Sequence, residues 1–212
     1  MAEQKRYKLR VNLSLAKESD LEASKQINQL ASNPYTSTSN NMLQIRQVSP
    51  HETSLLTGLV ALLQNGVQHG ASIGFLAPLP ASAALAYWQN VLQNQGLVLW
   101  IAEQDEQVIG TAQLDLCGKE NGQHRAEVQK LIVLKEYRGQ GIASQLMQHL
   151  EQFAYSQGRH LLVLDTQTGS DAETLYQKLG WQRAGEIPDF AANPSGELAP
   201  TSLYFKQLSN KP

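Results

Sequence analysis

Residues 127–153, EVQKLIVLKEYRGQGIASQLMQHLEQF, decide how the chain folds. Val128, Leu131, Ile132, Val133 and Leu134 follow one another closely, and branched side chains fit the pleated surface of a strand. Ile142, Leu146, Leu150 and Phe153/Ala154 then recur at spacings of three and four, which draws a single apolar face along a helix. Between strand and helix lies Arg138-Gly139-Gln140-Gly141-Ile142-Ala143. Glycines at such a junction accept positive φ and let a ligand approach the backbone. The first turn of a helix adds unpaired N–H groups at the positive end of the dipole. The stretch predicts a strand, an anion-binding turn and a helix.

Gly-x-Gly alone fits a plain turn as readily as a phosphate site, so the flanking residues matter. A nucleotide P-loop needs Gly-Lys-Ser/Thr, which does not follow Gly141, and a dinucleotide fingerprint needs a third glycine where Ser144 stands. Arg138-x-x-Gly141-x-Ala143 after a Leu-Ile-Val strand instead resembles the acyl-CoA motif of the GCN5-related N-acetyltransferase (GNAT) family, Arg/Gln-x-x-Gly-x-Gly/Ala.

Composition narrows the classes. The chain has 212 residues, of which 42% are hydrophobic and 17% charged, ordinary for one globular domain with a tail. A net charge of −2 argues against nucleic acid as the main partner. The lone Cys117 excludes an internal disulfide and a cysteine-rich zinc site, and reads as an ordinary thiol near a strand end. His51 and His69 lack partners at ligand spacing, so no metal is expected. MAEQKRYKLR has no apolar core behind it, and no apolar run nears spanning length. A cytoplasmic protein with no membrane partner is the expectation.

Residues 1–41 read as an N-terminal extension, flexible and outside the domain. Tyr7, Leu9, Val11 and Leu13 alternate as in a short strand, Leu21, Ile27 and Leu30 suit a helix over 19–30, and a polar linker runs from Asn33 to Asn41. The domain is placed at 42–209. A strand at 42–48 precedes a helix opened by Ser49-Pro50-His51-Glu52 as cap, first position and capping-box partner. A loop over 66–80 carries an apolar tip, Ile73, Phe75, Leu76 and Leu79, before a helix over 81–95. Strands at 97–102 and 107–116 form a hairpin. After the central unit come a buried strand at 161–165, a short helix capped by Ser170 with Glu173, and two last strands. The order β α α β β β α β α β β predicts an α/β (α+β) fold with a mixed, mostly antiparallel sheet and one βαβ crossover.

The resemblance extends past the turn. His124 to Leu131, Leu164-Asp165-Thr166 with Gly169-Ser170 and Leu175-Tyr176, and Gly185-Glu186-Ile187-Pro188 with Tyr204-Phe205-Lys206 are similar to the tabtoxin-resistance branch of that family, over roughly residues 42–208. Lys135 stands where many members place a proline, and residues 1–41 have no counterpart. The resemblance implies acetyl-CoA as cosubstrate, no metal, and a primary amine of a small amino-acid-like or toxin-like compound as acceptor. Protein acetylation, or a CoA-binding module without catalysis, are the alternatives; a homodimer is compatible with all three. Leu131, Ile132 and Val133 would pair with the pantetheine arm, and Arg138, Gly139, Gln140, Gly141, Ile142 and Ala143 would hold the pyrophosphate. Tyr176 is the candidate acid for the departing thiolate, although Leu175-Tyr176-x-x-Leu179 is also a plain helix face. Glu127 and Asp165 are the candidate bases, converging from neighbouring strands. His124 and Phe75 are candidate substrate contacts.

Overall fold

The computed structural model describes residue 18 and residues 20–26 and 42–209. The expected strand at 7–13 and linker at 33–41 lie outside the described residues. Residues 20–26 form helix α1. The domain then runs β1 (Gln44–Gln47), α2 (Leu56–Gln68), α3 (Ala81–Gln93), β2 (Leu97–Gln104), β3 (Gln107–Leu116), β4 (Arg125–Val133), α4 (Ile142–Ser156), β5 (Leu161–Gln167), α5 (Asp171–Lys178), β6 (Gln182–Ala192) and β7 (Leu198–Gln207). One sheet takes the order β1-β2-β3-β4-β5-β7-β6. Only β4 and β5 run parallel, joined through α4 as the crossover pattern requires.

Helices cover both faces of the sheet. In α2, a Cβ added to Gly58 would stand 3.2 Å from Val108 of β3, and one added to Gly66 would stand 3.1 Å from Ile132 of β4. The two glycines therefore let the helix lie close on the sheet, which offsets their poor helix propensity. α4 covers the opposite face with Ile142, Leu146, Leu150 and Ala154, the stripe that the spacing predicts, and adds Met147 to it. Leu146, Met147 and Leu150 are 0% exposed, and each such burial stabilises by about 1.5–3 kcal/mol. α5 joins this second face: Tyr176 packs against Trp181 and Tyr204, and the Trp181 indole donates to Glu151 of α4 at 3.0 Å.

Three local expectations change. The first domain helix starts at Leu56, after a 3-10 turn at Thr53–Leu55, not at Pro50. His51 sits at φ 66, which breaks any helix there. Glu52 does accept from the Ser49 N–H, but its carboxylate is mainly engaged by both Arg46 Nη atoms at 3.1 and 2.8 Å. That helix also continues to Gln68, so the apolar loop is shorter than expected. Ser170 occupies the cap position of α5 without capping it; its hydroxyl lies 3.2 Å from that of Thr166, while Glu173 accepts from the Gly169 N–H at 2.6 Å.

Within the N-terminal extension, Ala23 is buried and Asp20 accepts from the Ser82 N–H at 3.2 Å and its hydroxyl at 2.7 Å. α3 has no capping side chain of its own at Pro80, so α1 supplies one from elsewhere in the chain.

Candidate active site

β4 and β5 are paired only at Arg125↔Leu161, Ala126↔Leu162 and Glu127↔Val163. Both strands continue, β4 to Val133 against β3 and β5 to Gln167 against β7. The sheet therefore splits after Glu127, and the inner edges of the two strands are left without a strand partner. Backbone N–H and C=O groups on such an edge are a template for an extended ligand. Leu131, Ile132 and Val133 lie along it, as expected.

The split leads to the turn before α4. Gly139 and Gly141 take φ 77 and 80, the left-handed region that a side chain disfavours. A Cβ on either would meet no atom within 4 Å, so conformation and open space, not packing, demand glycine. Gly141 is the α4 N-cap, with no capping side chain and no acidic residue in the first turn. The N–H groups of residues 139–144 make no backbone hydrogen bond among the described residues, forming a nest suited to an anion. Arg138 donates through Nε to the Val133 carbonyl at 3.1 Å, so its guanidinium folds back along the turn. Asn65 of α2 accepts from the Lys135 N–H at 3.2 Å and anchors the start.

A second group of polar side chains lies on the sheet face under α3. Register places Asp115↔Glu127, Gln113↔Gln129 and Glu127↔Val163 opposite each other, with Asp165 two residues further along β5 on the same face. Tyr87 of α3 donates to Gln113 Oε1 at 2.9 Å, and Gln129 donates to Glu127 Oε1 at 3.0 Å. Burial pushes the Tyr87 phenol up to about 12, so it stays a donor. Gln113 is 0% exposed, and its Nε2 has no partner among the described residues. Phe75 packs edge-on against Tyr87 with centroids 5.3 Å apart. The loop carrying Phe75 is tied across the site by the Ala77 N–H to the Pro194 carbonyl of the β6–β7 turn at 2.8 Å. Glu127 also borders a cavity of about 340 Å³ with Asp115, Cys117, Arg125 and Val163.

Lys130 interrupts this face. The β3–β4 register slips between Thr111 and Gln113, and Lys130 takes φ 50 in the resulting bulge. The Thr111 hydroxyl holds the bulge by donating to the Lys130 carbonyl at 3.1 Å. The ammonium stands 5.7 Å from the Tyr87 ring centre. Burial pulls it below the usual lysine range, against the opposing charges of Asp165 and Glu127. Both carboxylates thus act on the charge of one lysine, which sequence reading overlooks. A single lysine inside VQKLIV was the available signal.

Tyr176 is 6% exposed on the opposite face, and nothing among the described residues hydrogen-bonds its hydroxyl. Burial first, then the charge of Asp165, raises its pKa. Its ring does pack in the core, as the plain helix-face reading expects, yet its hydroxyl is free. His124 is exposed and lies six residues before Lys130, roughly 20 Å away along an extended chain. Its carbonyl accepts from the His160 and Leu161 N–H groups, so it opens β5. The structure brings Phe75, Glu127 and Asp165 to one face; His124 stands just before β4, three residues from Glu127. Among the described residues there is no metal-binding cluster, and no helix is long and apolar enough to cross a membrane.

A sheet split between parallel strands, ending at an anion nest on a helix N-terminus, defines an acyl-CoA-type transferase fold. The family model "Acetyltransferase (GNAT) family" matches residues 68–181, more than half of the chain, and the chain belongs to that family. It is similar to rat (Rattus norvegicus) N-acetyltransferase 8B, 37% identical over 100 residues, covering 46% of this chain and 45% of the relative. The chain thus matches less than half of that relative's length. In structure it resembles an N-acetyltransferase from Staphylococcus aureus Mu50, with a TM-score of 0.68 and 21% identity over 79% of this chain and 99% of the other. It also resembles the candidate acetyltransferase yncA of Salmonella typhimurium, solved with its cofactor acetyl-CoA. There the TM-score is 0.66 and the identity 20%, over 81% of this chain and 96% of the other.

Proposed function

We propose that this chain transfers the acetyl group of acetyl-CoA to a primary amine of a small molecule by direct attack in a ternary complex. The observation that carries the reading is the split between β4 and β5 running into the unpaired amides of residues 139–144. Acetyl-CoA, when bound, supplies a thioester activated for attack by nitrogen. The nest around Gly139–Ala143 would hold the pyrophosphate, and the free edge at 131–133 would pair with the pantetheine arm. An N–H on that edge would polarise the reacting carbonyl. Glu127 or Asp165, directly or through water, would take the proton from the acceptor ammonium. Tyr176 would donate a hydrogen bond to the departing sulfur; its raised pKa suits a donor that keeps its proton until late.

The Ala77–Pro194 tie supports a small acceptor, amino-acid-like or toxin-like, over a protein segment, because a strap across the site limits a long chain. Residues 1–41 are read as dispensable for catalysis, and no nucleic acid or membrane partner is called for. The test is a chromogenic thiol assay with acetyl-CoA against small amines, amino acids, amine antibiotics and peptides. Turnover of small amines is expected. Efficient acetylation of peptides, with none of small amines, would overturn the small-acceptor reading, and no turnover at all would leave a CoA-binding module.

A further inference from the structure

We infer that Lys130 is the specificity residue for the acceptor and takes a carboxylate of the acceptor amine. This rests on the transferase reading above and deepens it. Lys130 is half-buried and takes part in no ion pair among the described residues. A lysine carries three donors, and with no carboxylate in contact the half-buried Lys130 ammonium leaves them unpaired. What surrounds it is one ring face of Tyr87 and the loop backbone at Gly74, whose added Cβ would stand 3.9 Å from Nζ. The bulge brings the ammonium to the Tyr87 ring of α3 and to the loop at Gly74. On the same face the buried Gln113 amide has an N–H₂ without a partner. Of the two, Gln113 is 0% exposed and its amide is bonded to Tyr87, so the Lys130 ammonium is the donor that can take an anion.

Glu127 and Asp165 lie near Lys130 without touching it. An acceptor with an ammonium and a carboxylate would satisfy both signs: the ammonium against Glu127 or Asp165, the carboxylate against Lys130. A polycationic acceptor would meet Lys130 as a like charge. Phe75 and Tyr87 add an aromatic wall beside the ammonium, which suits an apolar side chain on the acceptor. The substrate class is thus an α-amino acid or a close analogue with a free carboxylate.

The test uses the full chain and matched trios of acceptors: an α-amino acid, its carboxamide and the decarboxylated amine, across apolar, polar and acidic side chains. Wild type should prefer the free acid through KM by about 10- to 100-fold, the value of a charged hydrogen bond. Lys130→Met keeps the stem against Tyr87 and should erase the preference, while the KM for acetyl-CoA and the melting temperature hold. Lys130→Arg should restore part of the preference, and Lys130→Glu should invert it toward the amines. A merely structural lysine would lower stability and kcat alike, without changing the ranking within a trio. In parallel, the N-acetylated amino acid of every trio is titrated calorimetrically onto wild type and Lys130→Met, whatever the turnover. Turnover that ignores the carboxylate, or a preference that survives Lys130→Met, overturns the Lys130 assignment and leaves the transferase reading standing. Carboxylate binding that depends on Lys130, with no acetyl transfer to any amine, keeps the anion site and overturns the transferase reading.

Discussion

The proposed anion-binding turn draws its groups from consecutive residues, 138–143, whereas the proposed acceptor face gathers Phe75, Tyr87, Gln113, Glu127, Lys130 and Asp165 from a loop, a helix and three strands. The turn works through backbone amides whose directions follow from two positive-φ glycines and a helix start. The acceptor face works through side chains held by register, a bulge and an aromatic pair. A contiguous backbone site tolerates change in nearly every side chain but not in its glycines. An assembled side-chain site can be retuned one residue at a time, which suits a fold that keeps its donor and varies its acceptor.

Gly141→Asp strikes the contiguous half hardest. Aspartate would be strained at φ 80 and would set a negative charge against the pyrophosphate. At about 4 Å and an effective dielectric near 20 this costs roughly 4 kcal/mol, or about 1,000-fold. Calorimetric titration of acetyl-CoA should show that loss with the fold intact; unchanged affinity would remove the donor from this turn.

On the assembled half, Glu127→Gln and Asp165→Asn separate the two carboxylates. Whichever acts as base should lose about 100-fold in kcat, with acetyl-CoA affinity unchanged. Equal, small losses from both would assign proton removal to solvent.

Tyr176→Phe probes the seam between the halves. Its hydroxyl has no partner among the described residues, so the melting temperature should stay constant. If the hydroxyl faces the leaving sulfur, kcat should drop at least about tenfold; an unchanged kcat would return Tyr176 to a packing role only.

Removing residues 1–41 should leave turnover within about twofold, because none of their described residues lends a side chain to either half. Stability should fall by about 1 kcal/mol, the worth of the Asp20 cap on α3. Asp20→Ala in the full chain should reproduce most of the loss in a thermal melt, and a larger effect on kcat would show the extension reaching the site.

The smallest effect belongs to Arg46–Glu52–Glu103, remote from both halves. Hydrogen bonding to Arg46 holds the Glu52 carboxyl below its ordinary range, against burial and with help from the Ser49 N–H. A depressed folded value means that its contribution is complete above the unfolded carboxylate pKa and is lost as pH falls through the folded one. Glu52→Gln should cost about 1 kcal/mol at neutral pH, since the pair is partly exposed. The gap between wild type and variant in urea melts should close as pH falls below that range.

The sequence by itself determined what is local. The strand–turn–helix of residues 127–153, the α4 stripe, the glycine turn and the single crossover all follow from spacing and from residue types whose conformational limits act within a few positions. It also put Glu127 and Asp165 on adjacent strands, because the βαβ unit makes them neighbours. Where capping residues had competing partners, local reading went astray: Glu52 is held by Arg46, and the Ser170 hydroxyl turns to Thr166. Only the tertiary structure decided the rest. The split after Glu127 shows only in how far β4 and β5 stay paired, and the placement of Lys130 depends on a bulge that appears only when β4 is laid against β3. The Tyr87–Gln113 bond and the Ala77–Pro194 tie join residues 26 or more positions apart. Contacts between distant residues carry no period and no fixed spacing, so packing alone selects them.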